Sequence, residues 1–296
     1  MRRVSGLEVL TAKILESVPW VVHGFSTRKG GASRLNGVAA LNLGFTQWDS
    51  RGAVARNRRA LTRAITANNA SAKVGSNKSL ITLRQIHSDV VHIFSKAPAR
   101  PPQGDAAICR RPGSLLAIQT ADCVPILLAD PRRRVVAAVH AGWRGTLARI
   151  VAKTLGRMRL EFGTRPEDVV AALGPAIGPC CYEVGPEVAQ AFAGQFAQAS
   201  EWFEGPFERL AIAEEPNPLP WLTMMPPGHE PPPERVRLDL RVANRWQLVD
   251  AGLNPRNIAV SALCTGCRSD LFFSYRKEGA GTGRMMSVIG IRANSR

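Results

Sequence analysis

The chain has 296 residues, of which 45% are hydrophobic and 21% charged, and this composition is typical of a folded globular protein. Six cysteines are too few in a chain of this length for a disulfide scaffold, which favours reduced thiols that serve as metal ligands or nucleophiles. The net charge of +16 comes from basic residues scattered along the chain, and aromatic residues make up only 6%, so we expect no nucleic-acid partner.

In chain order, short apolar runs and amphipathic segments predict alternating strands and helices. The first half is predicted to contain a strand over 20–25, a glycine-containing turn over 26–31, a helix over 49–67, and strands over 80–85, 90–94, 105–109, 115–119, 124–129 and 135–139. Residues 68–78 are predicted to form a polar loop, and 96–103 an exposed Pro-rich segment. The strands from 105 onward are rich enough in Val, Ile and Leu to be buried on both faces.

The second half continues this alternation up to the last residues. It is predicted to contain helices over 146–160, 186–197 and 238–251, and strands over 169–173, 258–262 and 286–291. Proline concentrates over 204–233, which predicts a surface insertion instead of a packed element. Since no internal repeat and no other linker is visible, we predict one α/β domain of mixed α+β type spanning residues 1–296.

We expect neither a membrane-spanning nor a secretory segment in this chain. Its most apolar stretch, residues 115–139, is interrupted by charged residues, whereas a spanning helix needs about 20 apolar residues without such breaks. No uninterrupted apolar region follows Arg2 and Arg3, as a signal peptide would require. We therefore expect no membrane partner and a cytoplasmic location.

Three segments place a His or a Cys where an apolar strand gives way to a turn. His87, Cys123 and His140 would supply two imidazole nitrogens and one thiolate, a donor set that zinc accepts. Three protein ligands leave a fourth position for water, as in catalytic and not in structural zinc sites. The spacing alone leaves open the alternative that these are ordinary core or loop residues.

Further short motifs accompany these three segments from about residue 21 to residue 291. In order, they are Gly24-Phe25-Ser26-Thr27-Arg28, Gly30-Gly31 with Ser33, Leu41-Asn42-Leu43-Gly44, Gln85-Ile86-His87, Gly104-Asp105-Ala106, Thr120-Ala121-Asp122-Cys123-Val124-Pro125, His140-Ala141-Gly142-Trp143-Arg144-Gly145, Gly174-Pro175-Ala176-Ile177-Gly178, Cys181-Tyr182-Glu183-Val184, Cys264-Thr265, Phe273-Ser274-Tyr275-Arg276 and Thr282-Gly283-Arg284. Together they resemble the YfiH-like family, also called the laccase-domain or polyphenol-oxidase family.

The resemblance implies both a fold and an activity. The fold would be a mixed-sheet β-sandwich flanked by helices, in a single YfiH-like domain. The residues that match the family's zinc ligands are His87, Cys123 and His140. The activity would be that of a purine nucleoside phosphorylase that also deaminates adenosine and cleaves methylthioadenosine, with a purine nucleoside and phosphate as its partners. Some bacterial members are described as editing peptidoglycan precursors, which remains an alternative.

Deamination would require zinc-activated water and a carboxylate that moves the proton. Asp122 is the carboxylate nearest to the ligand Cys123 in sequence, and we assign it this catalytic role. Neighbouring residues of a strand point to opposite faces, so the alternative is that Asp122 holds a turn.

Phosphorolysis would require a site for phosphate beside the ribose. Arg28, Arg144 and Arg276 each lie in a motif turn and could bind phosphate through paired N–H donors, with Arg144 also contributing to catalysis. The alternative is that one or more of them pairs with a carboxylate. Cys264 is predicted near the substrate, whereas its Cys264-x-x-Cys267 spacing has no second C-x-x-C to complete a four-cysteine zinc site.

Two other chemistries and a binding role are alternatives to the hypothesis of a purine nucleoside enzyme. A four-copper laccase centre needs roughly ten His ligands, and the chain has five His in all, so copper is a less favoured cofactor than zinc. A Cys-His hydrolase would use Cys123 as the nucleophile with His87 or His140 as the base. A non-enzymatic binding module would not depend on Cys123. The sequence leaves the oligomeric state open.

Overall fold

Apolar strands that bury both faces form the centre of the structure, a computed structural model that describes residues 2–4, 6–66, 79–211 and 235–293. Strands are numbered β1–β17 and helices α1–α8 in chain order within these residues. The first large sheet has the spatial order β1 (Arg2–Val4), β2 (Leu7–Leu10), β3 (Val21–Ser26), β17 (Met285–Ile291), β9 (Ser114–Thr120) and β6 (Ser79–Thr82). The second has the order β16 (Ile258–Val260), β12 (Val170–Leu173), β10 (Val124–Asp130), β11 (Val135–Ala141), β8 (Ala106–Cys109) and β7 (Val91–Phe94).

Both large sheets are mixed, and two small sheets complete the described strands. The pairs β6–β9, β7–β8 and β12–β16 are parallel, and the other ladders of the two large sheets are antiparallel. One small sheet joins β13 (Glu183–Val184), β15 (Val236–Leu238) and β14 (Phe203–Glu204). The other is the hairpin of β4 (Lys29–Leu35) and β5 (Val38–Ala40).

The helices lie outside the two large sheets or in the connections between strands. They are α1 (Lys13–Glu16), α2 (Arg51–Thr66), α3 (Trp143–Leu147), α4 (Ile150–Phe162), α5 (Pro186–Gln195), α6 (Phe207–Ala211), α7 (Leu240–Asp250) and α8 (Tyr275–Glu278). Among the described residues, none of these helices combines the length and the apolar character that crossing a bilayer requires.

The two large sheets pack face to face, and their side chains alternate between two cores. In β10, Leu127 and Ala129 join the core between the sheets, whereas Ile126 and Leu128 face the core beneath α4, α5 and α7. This is the period of two that a strand imposes on its side chains, and it explains why a strand buried on both faces is apolar throughout. On the far side, α2 covers the first sheet through residues such as Leu61. The predicted helix-flanked, mixed-sheet β-sandwich is therefore confirmed.

The predicted helix over 146–160 is two helices. Arg149 separates α3 from α4 with a left-handed φ of 58°, a conformation that interrupts a right-handed helix. Helix α4 then runs to Gly163, whose φ of 65° provides the usual left-handed end. The break ends α3, which begins at Trp143 within the His140–Gly145 motif and packs against β11.

The Pro-rich segment differs from the prediction where it begins. Strand β14 ends at Glu204, and α6 follows at once, with the Phe207 ring stacked on Phe203 at 4.4 Å and buried in the same core. These residues are packed because their aromatic side chains cover α5. The remaining residues of the predicted insertion, 212–233, lie outside the described residues, as does the predicted polar loop over 68–78.

Candidate metal centre

Asp105, a fully buried carboxylate before β8, organises the loop that carries His87. Its oxygens accept hydrogen bonds from the backbone N–H groups of Ile86, His87 and Ser88 at 3.2, 3.1 and 2.7 Å, and from the Ser88 hydroxyl at 2.7 Å. His87 itself has a φ of 58°, a strained value for a residue with a side chain. The carboxylate therefore holds an otherwise unfavourable turn, and that turn exposes the imidazole.

The same carboxylate also orients His140, which lies near the end of β11. The distance between His140 Nδ1 and Asp105 Oδ1 is 2.8 Å, so Nε2 is the ring nitrogen left for a ligand. Cys123 lies just before β10, the neighbouring strand, and its Sγ is 3.9 Å from His87 Nε2. The two imidazole rings meet edge to face with their centroids 5.0 Å apart. The three predicted ligands are thus brought together, with their donor atoms within 4.8 Å of one another.

The charges of these groups favour a thiolate. Burial alone would raise the pKa of Cys123, but the His140 charge and hydrogen bonds from both imidazoles lower it to about 6. Burial alone would lower the pKa of His140, but the Cys123 charge and the Asp105 hydrogen bond raise it to about 9. Burial opposes the ionisation of Asp105, yet hydrogen bonds from His140 and Ser88 hold its pKa well below the usual range. The site is therefore prepared to present one anionic sulfur and a fixed imidazole.

This donor set fits a metal ion. One thiolate and two imidazoles are ligands that zinc binds, and three of them leave a coordination position open. A metal-binding His commonly donates its second ring N–H to a carboxylate, which is the relation between His140 and Asp105. His87, Cys123 and His140 could therefore hold a metal ion.

Gly142 leaves the space in which the ligands meet. A Cβ at this position would lie 3.0 Å from Cys123 Sγ and 3.1 Å from His87 Cδ2, although its φ of −78° suits any residue. We expect Gly142→Ala to lower the metal affinity of this centre by about tenfold, as misplaced ligands do, while the protein remains folded. Chelator competition measures the affinity. Gly156→Ala is the control, because this exposed position in α4 has open space around it and alanine should stabilise the helix by about 1 kcal/mol.

Asp122 lies beside the ligands, but protein groups already engage both of its oxygens. Oδ1 accepts the Thr265 hydroxyl at 2.6 Å, and Oδ2 accepts the backbone N–H of Arg276 at 2.7 Å. Its carbonyl accepts the N–H of Ile177 at 2.9 Å, and its own φ is 93°. This geometry matches the alternative of a turn-holding carboxylate.

The three predicted phosphate-binding arginines differ in their surroundings. Arg28 Nη1 donates to the carbonyls of Ser269 and Phe272 at 2.8 and 3.2 Å and pairs with Glu278 at 2.5 Å. The exposed Arg144 guanidinium lies 4.2 Å from the Trp143 ring centroid. Arg276, also exposed, donates to the Glu183 carbonyl at 2.7 Å. Arg28 is committed to protein partners, whereas the other two reach the surface.

Two further side chains near the ligands were not predicted as site residues. Burial raises the pKa of Tyr182, on which the charges of Cys123, Asp122 and Arg276 also act, so this hydroxyl lies among the site residues. The Arg276 guanidinium lies 5.1 Å from the Tyr182 ring centroid. Burial lowers the pKa of Arg284 near the same thiol. Both residues belong to motifs seen in the sequence, which was the available signal.

Cys264, which the sequence predicted near the substrate, lies in a second group of cysteines. Its Sγ accepts a hydrogen bond from the Gly178 N–H at 3.2 Å and belongs to a second cluster with Cys180, Cys181 and Cys267. Within the described residues, these two clusters are the groups of His, Cys, Asp and Glu that could hold a metal ion.

Comparison with known proteins extends over nearly the whole chain. The model of a family described as multi-copper polyphenol oxidoreductase laccase matches residues 22–292. The chain is 33% identical over 280 residues to purine nucleoside phosphorylase YlmD of Geobacillus stearothermophilus, covering 92% of this chain and 90% of that protein. It is 38% identical over 287 residues to a purine nucleoside phosphorylase of Deinococcus radiodurans, covering 97% and 94%. The crystal structure of Bacillus licheniformis hypothetical protein YfiH has a TM-score of 0.79 at 30% identity, covering 98% of each chain.

Proposed function

Since the chain belongs to the YfiH-like, laccase-domain family, whose model spans residues 22–292, we propose that it is a zinc-dependent purine nucleoside phosphorylase that also deaminates adenosine. The observation that carries this proposal is the meeting of His87, Cys123 and His140, with Asp105 behind His140. Similar proteins named purine nucleoside phosphorylases support the choice of substrate. Zinc held there would supply Lewis-acid activation of an oxygen.

In phosphorolysis, a phosphate oxygen forms a bond to C1′ of the ribose while the C1′–N9 bond breaks. The purine leaves with the bonding electrons and takes up a proton, and ribose 1-phosphate is the second product. Adenosine, inosine and methylthioadenosine share the bond that is cut, although the sugar product of methylthioadenosine keeps its methylthio group as 5-methylthioribose 1-phosphate. Arg144 and Arg276 bind the phosphate, because both guanidiniums are exposed and carry fixed positive charge. Arg28 pairs with Glu278 instead and does not bind phosphate.

In deamination, water adds to C6 of adenosine and ammonia leaves, which gives inosine. Asp122 positions the site in both reactions: its two oxygens hold Thr265 and the first turn of α8, where Arg276 lies. Its carboxylate does not need to reach the substrate for this role. The Tyr182 hydroxyl is protonated at neutral pH, as an ordinary tyrosine is, and burial raises its pKa further. In this proposal it donates a hydrogen bond to the bound nucleoside.

We expect Tyr182→Phe to lower kcat/KM for inosine by about tenfold, which corresponds to the loss of one hydrogen bond. Zinc content should stay unchanged because the hydroxyl is not a ligand. Steady-state kinetics and metal analysis measure the two quantities. Tyr275→Phe alters the chain's other tyrosine, which is exposed, and serves as the control. If kcat/KM for inosine is unchanged in both variants, Tyr182 does not contact the bound nucleoside.

The experiment that tests the proposed function is chromatography of the products formed from adenosine and inosine, with and without phosphate, by protein of known zinc content. Free base together with ribose 1-phosphate, formed only with phosphate, is the result expected for phosphorolysis. Inosine formed from adenosine without phosphate is the result expected for deamination. If zinc-loaded protein gives neither product, the proposed function is wrong.

A thiol hydrolase acting on an amide of a cell-wall precursor is the second candidate. It is favoured by the 3.9 Å contact of Cys123 Sγ with His87 Nε2, since a nucleophilic cysteine needs such a base. Zinc bound through the same sulfur would occupy the thiolate. Alkylation of Cys123 by iodoacetamide distinguishes the two: the zinc enzyme is protected until a chelator is added, whereas the hydrolase reacts in the active state.

The family's description as a copper oxidase suits the chain less well than zinc. A four-copper centre requires roughly ten His ligands, and the whole chain has five. Of these, His87 and His140 lie in the candidate centre, while His92 contacts the Gln103 carbonyl through Nε2 at 2.7 Å. We therefore propose zinc as the cofactor.

A further inference from the structure

A second cluster of thiols joins two segments that are far apart in sequence. Cys180 and Cys181 follow the Gly174–Gly178 motif, whereas Cys264 and Cys267 lie in the turn after β16. The four Sγ atoms all lie within 4.8 Å of one another. Cys267 Sγ is 3.4 Å from Cys180 Sγ and 3.5 Å from Cys181 Sγ. The absence of a second C-x-x-C pattern predicted no such cluster, but two adjacent cysteines complete the set.

These separations suit a single tetrahedral metal ion. With zinc–sulfur bonds of about 2.3 Å, the sulfurs of a tetrahedral site lie about 3.8 Å apart. A multi-iron cluster has metal atoms and sulfides between its cysteines and needs a wider arrangement. A disulfide would use two of the four sulfurs and leave two thiols packed against it. We propose that Cys180, Cys181, Cys264 and Cys267 bind a second zinc ion in a closed, structural site.

The backbone around the sulfurs is shaped for close approach. The Gly178 N–H donates to Cys264 Sγ at 3.2 Å, a contact that stabilises a thiolate. A Cβ on Gly266 would lie 2.9 Å from Cys181 Cβ and 3.0 Å from its Sγ, so the turn between Cys264 and Cys267 can approach only with glycine there. Both loops bring backbone against the sulfurs, as a metal-binding turn does.

A fixed positive charge lies beside the cluster. A Cβ on Gly178 would lie 3.0 Å from Arg241 Nη2 and 3.4 Å from Cys180 Sγ, which places the guanidinium next to the thiols. Asp239 holds this guanidinium through contacts of 2.9 and 3.1 Å. Four thiolates around a divalent cation carry net negative charge, and Arg241 offsets part of it.

The second ion would stabilise residues that lie next to the first centre. Thr265, which follows Cys264, donates its hydroxyl to Asp122, and its N–H donates to the Ala176 carbonyl at 3.1 Å. Tyr182 directly follows Cys181. Clamping the four cysteines together therefore fixes the positions of Asp122 and Tyr182 through their sequence neighbours. Its role is stability and positioning, independent of which reaction the first centre performs.

The test is the zinc content of protein purified under reducing conditions, measured by elemental mass spectrometry. We expect two zinc ions per chain in the unaltered protein, one in the double variant Cys180→Ser/Cys267→Ser, and one in Cys123→Ala. Cys109→Ala, which removes a buried thiol outside both clusters, should keep two. One ion in the unaltered protein, lost entirely in Cys123→Ala, would overturn the second site.

A spectroscopic readout keeps the test decisive if the double variant does not fold. In cobalt-substituted protein, sulfur-to-cobalt charge-transfer absorption rises with the number of thiolate ligands. We expect the unaltered protein to show the absorption of a four-thiolate site in addition to that of the one-thiolate site, and Cys123→Ala to retain the stronger component. Absorption from a single thiolate, or a disulfide to Cys267 found by peptide mapping, would overturn the proposal.

Discussion

Cys123→Ala is expected to remove zinc from the first centre and to lower phosphorolysis by on the order of 10³-fold or more. The thiolate is the one anionic ligand of this set, and its pKa of about 6 reflects the imidazoles around it. Without it, two imidazoles remain, and His140 loses the charge that raises its own pKa. Metal analysis and steady-state kinetics with inosine and phosphate, on the same sample, measure the loss of zinc and the loss of activity together.

Cys109→Ala separates this effect from general destabilisation. Cys109 is buried at the end of β8, away from both clusters, so the variant should keep its zinc and activity. A Cys123→Ala protein that has lost the zinc of the first centre but turns over inosine at the normal rate would contradict the proposed mechanism. If instead the zinc of the first centre is retained and inosine turnover is lost, Cys123 acts in the reaction itself and not as a zinc ligand.

Asp105→Asn is expected to weaken zinc binding at the first centre by 10- to 100-fold, the usual consequence of removing the carboxylate behind a metal-bound His. The carboxylate accepts hydrogen bonds from His140 Nδ1 and from three backbone N–H groups of the His87 turn. An amide can accept at only one of its two ends, so one side of this network is lost. Both ligands on which Asp105 acts become less well placed.

Asp89→Asn is the matched control for this prediction. Asp89 is close to His87 in sequence, but it is partly exposed and pairs with Lys153 on the surface. Its substitution should leave zinc affinity unchanged, since surface pairs contribute little. Zinc affinity is measured by competition with a chromophoric chelator. Equal affinities in the two variants would show that Asp105 does not position the ligands.

The sequence predicted the strands whose pattern is unambiguous. The runs over 124–129 and 135–139 are β10 and β11 with a residue or two added, because burial on both faces leaves only apolar side chains. Strand β4 was missed: it contains Gly30 and Gly31, whose φ values of 80° and 84° belong to turns. The strands of the small three-stranded sheet are two or three residues long, too short for a period to appear.

Only residues that lie in a recognisable motif could be predicted as residues of the site. His87, Cys123 and His140 are 36 and 17 residues apart in sequence, and only the sheet topology brings β10 and β11 beside the His87 turn. Asp105 was visible within a motif, but nothing in its spacing pointed to His140. The cysteine cluster stayed hidden because one half is an adjacent pair. The metal-ligand group, the Asp105–His140 contact and the cysteine cluster all form between loops that are distant in sequence. Local sequence patterns do not indicate such contacts.

The most direct test of the account is reconstitution of phosphorolysis with zinc. The protein is stripped with a chelator, zinc is added back in measured amounts, and ribose 1-phosphate formed from inosine and phosphate is followed alongside zinc content. We expect the stripped protein to be inactive, the rate to rise with zinc occupancy, and Cys123→Ala not to be restored. Full activity in the stripped protein, or restoration of Cys123→Ala by zinc, would contradict a zinc-dependent reaction at His87, Cys123 and His140.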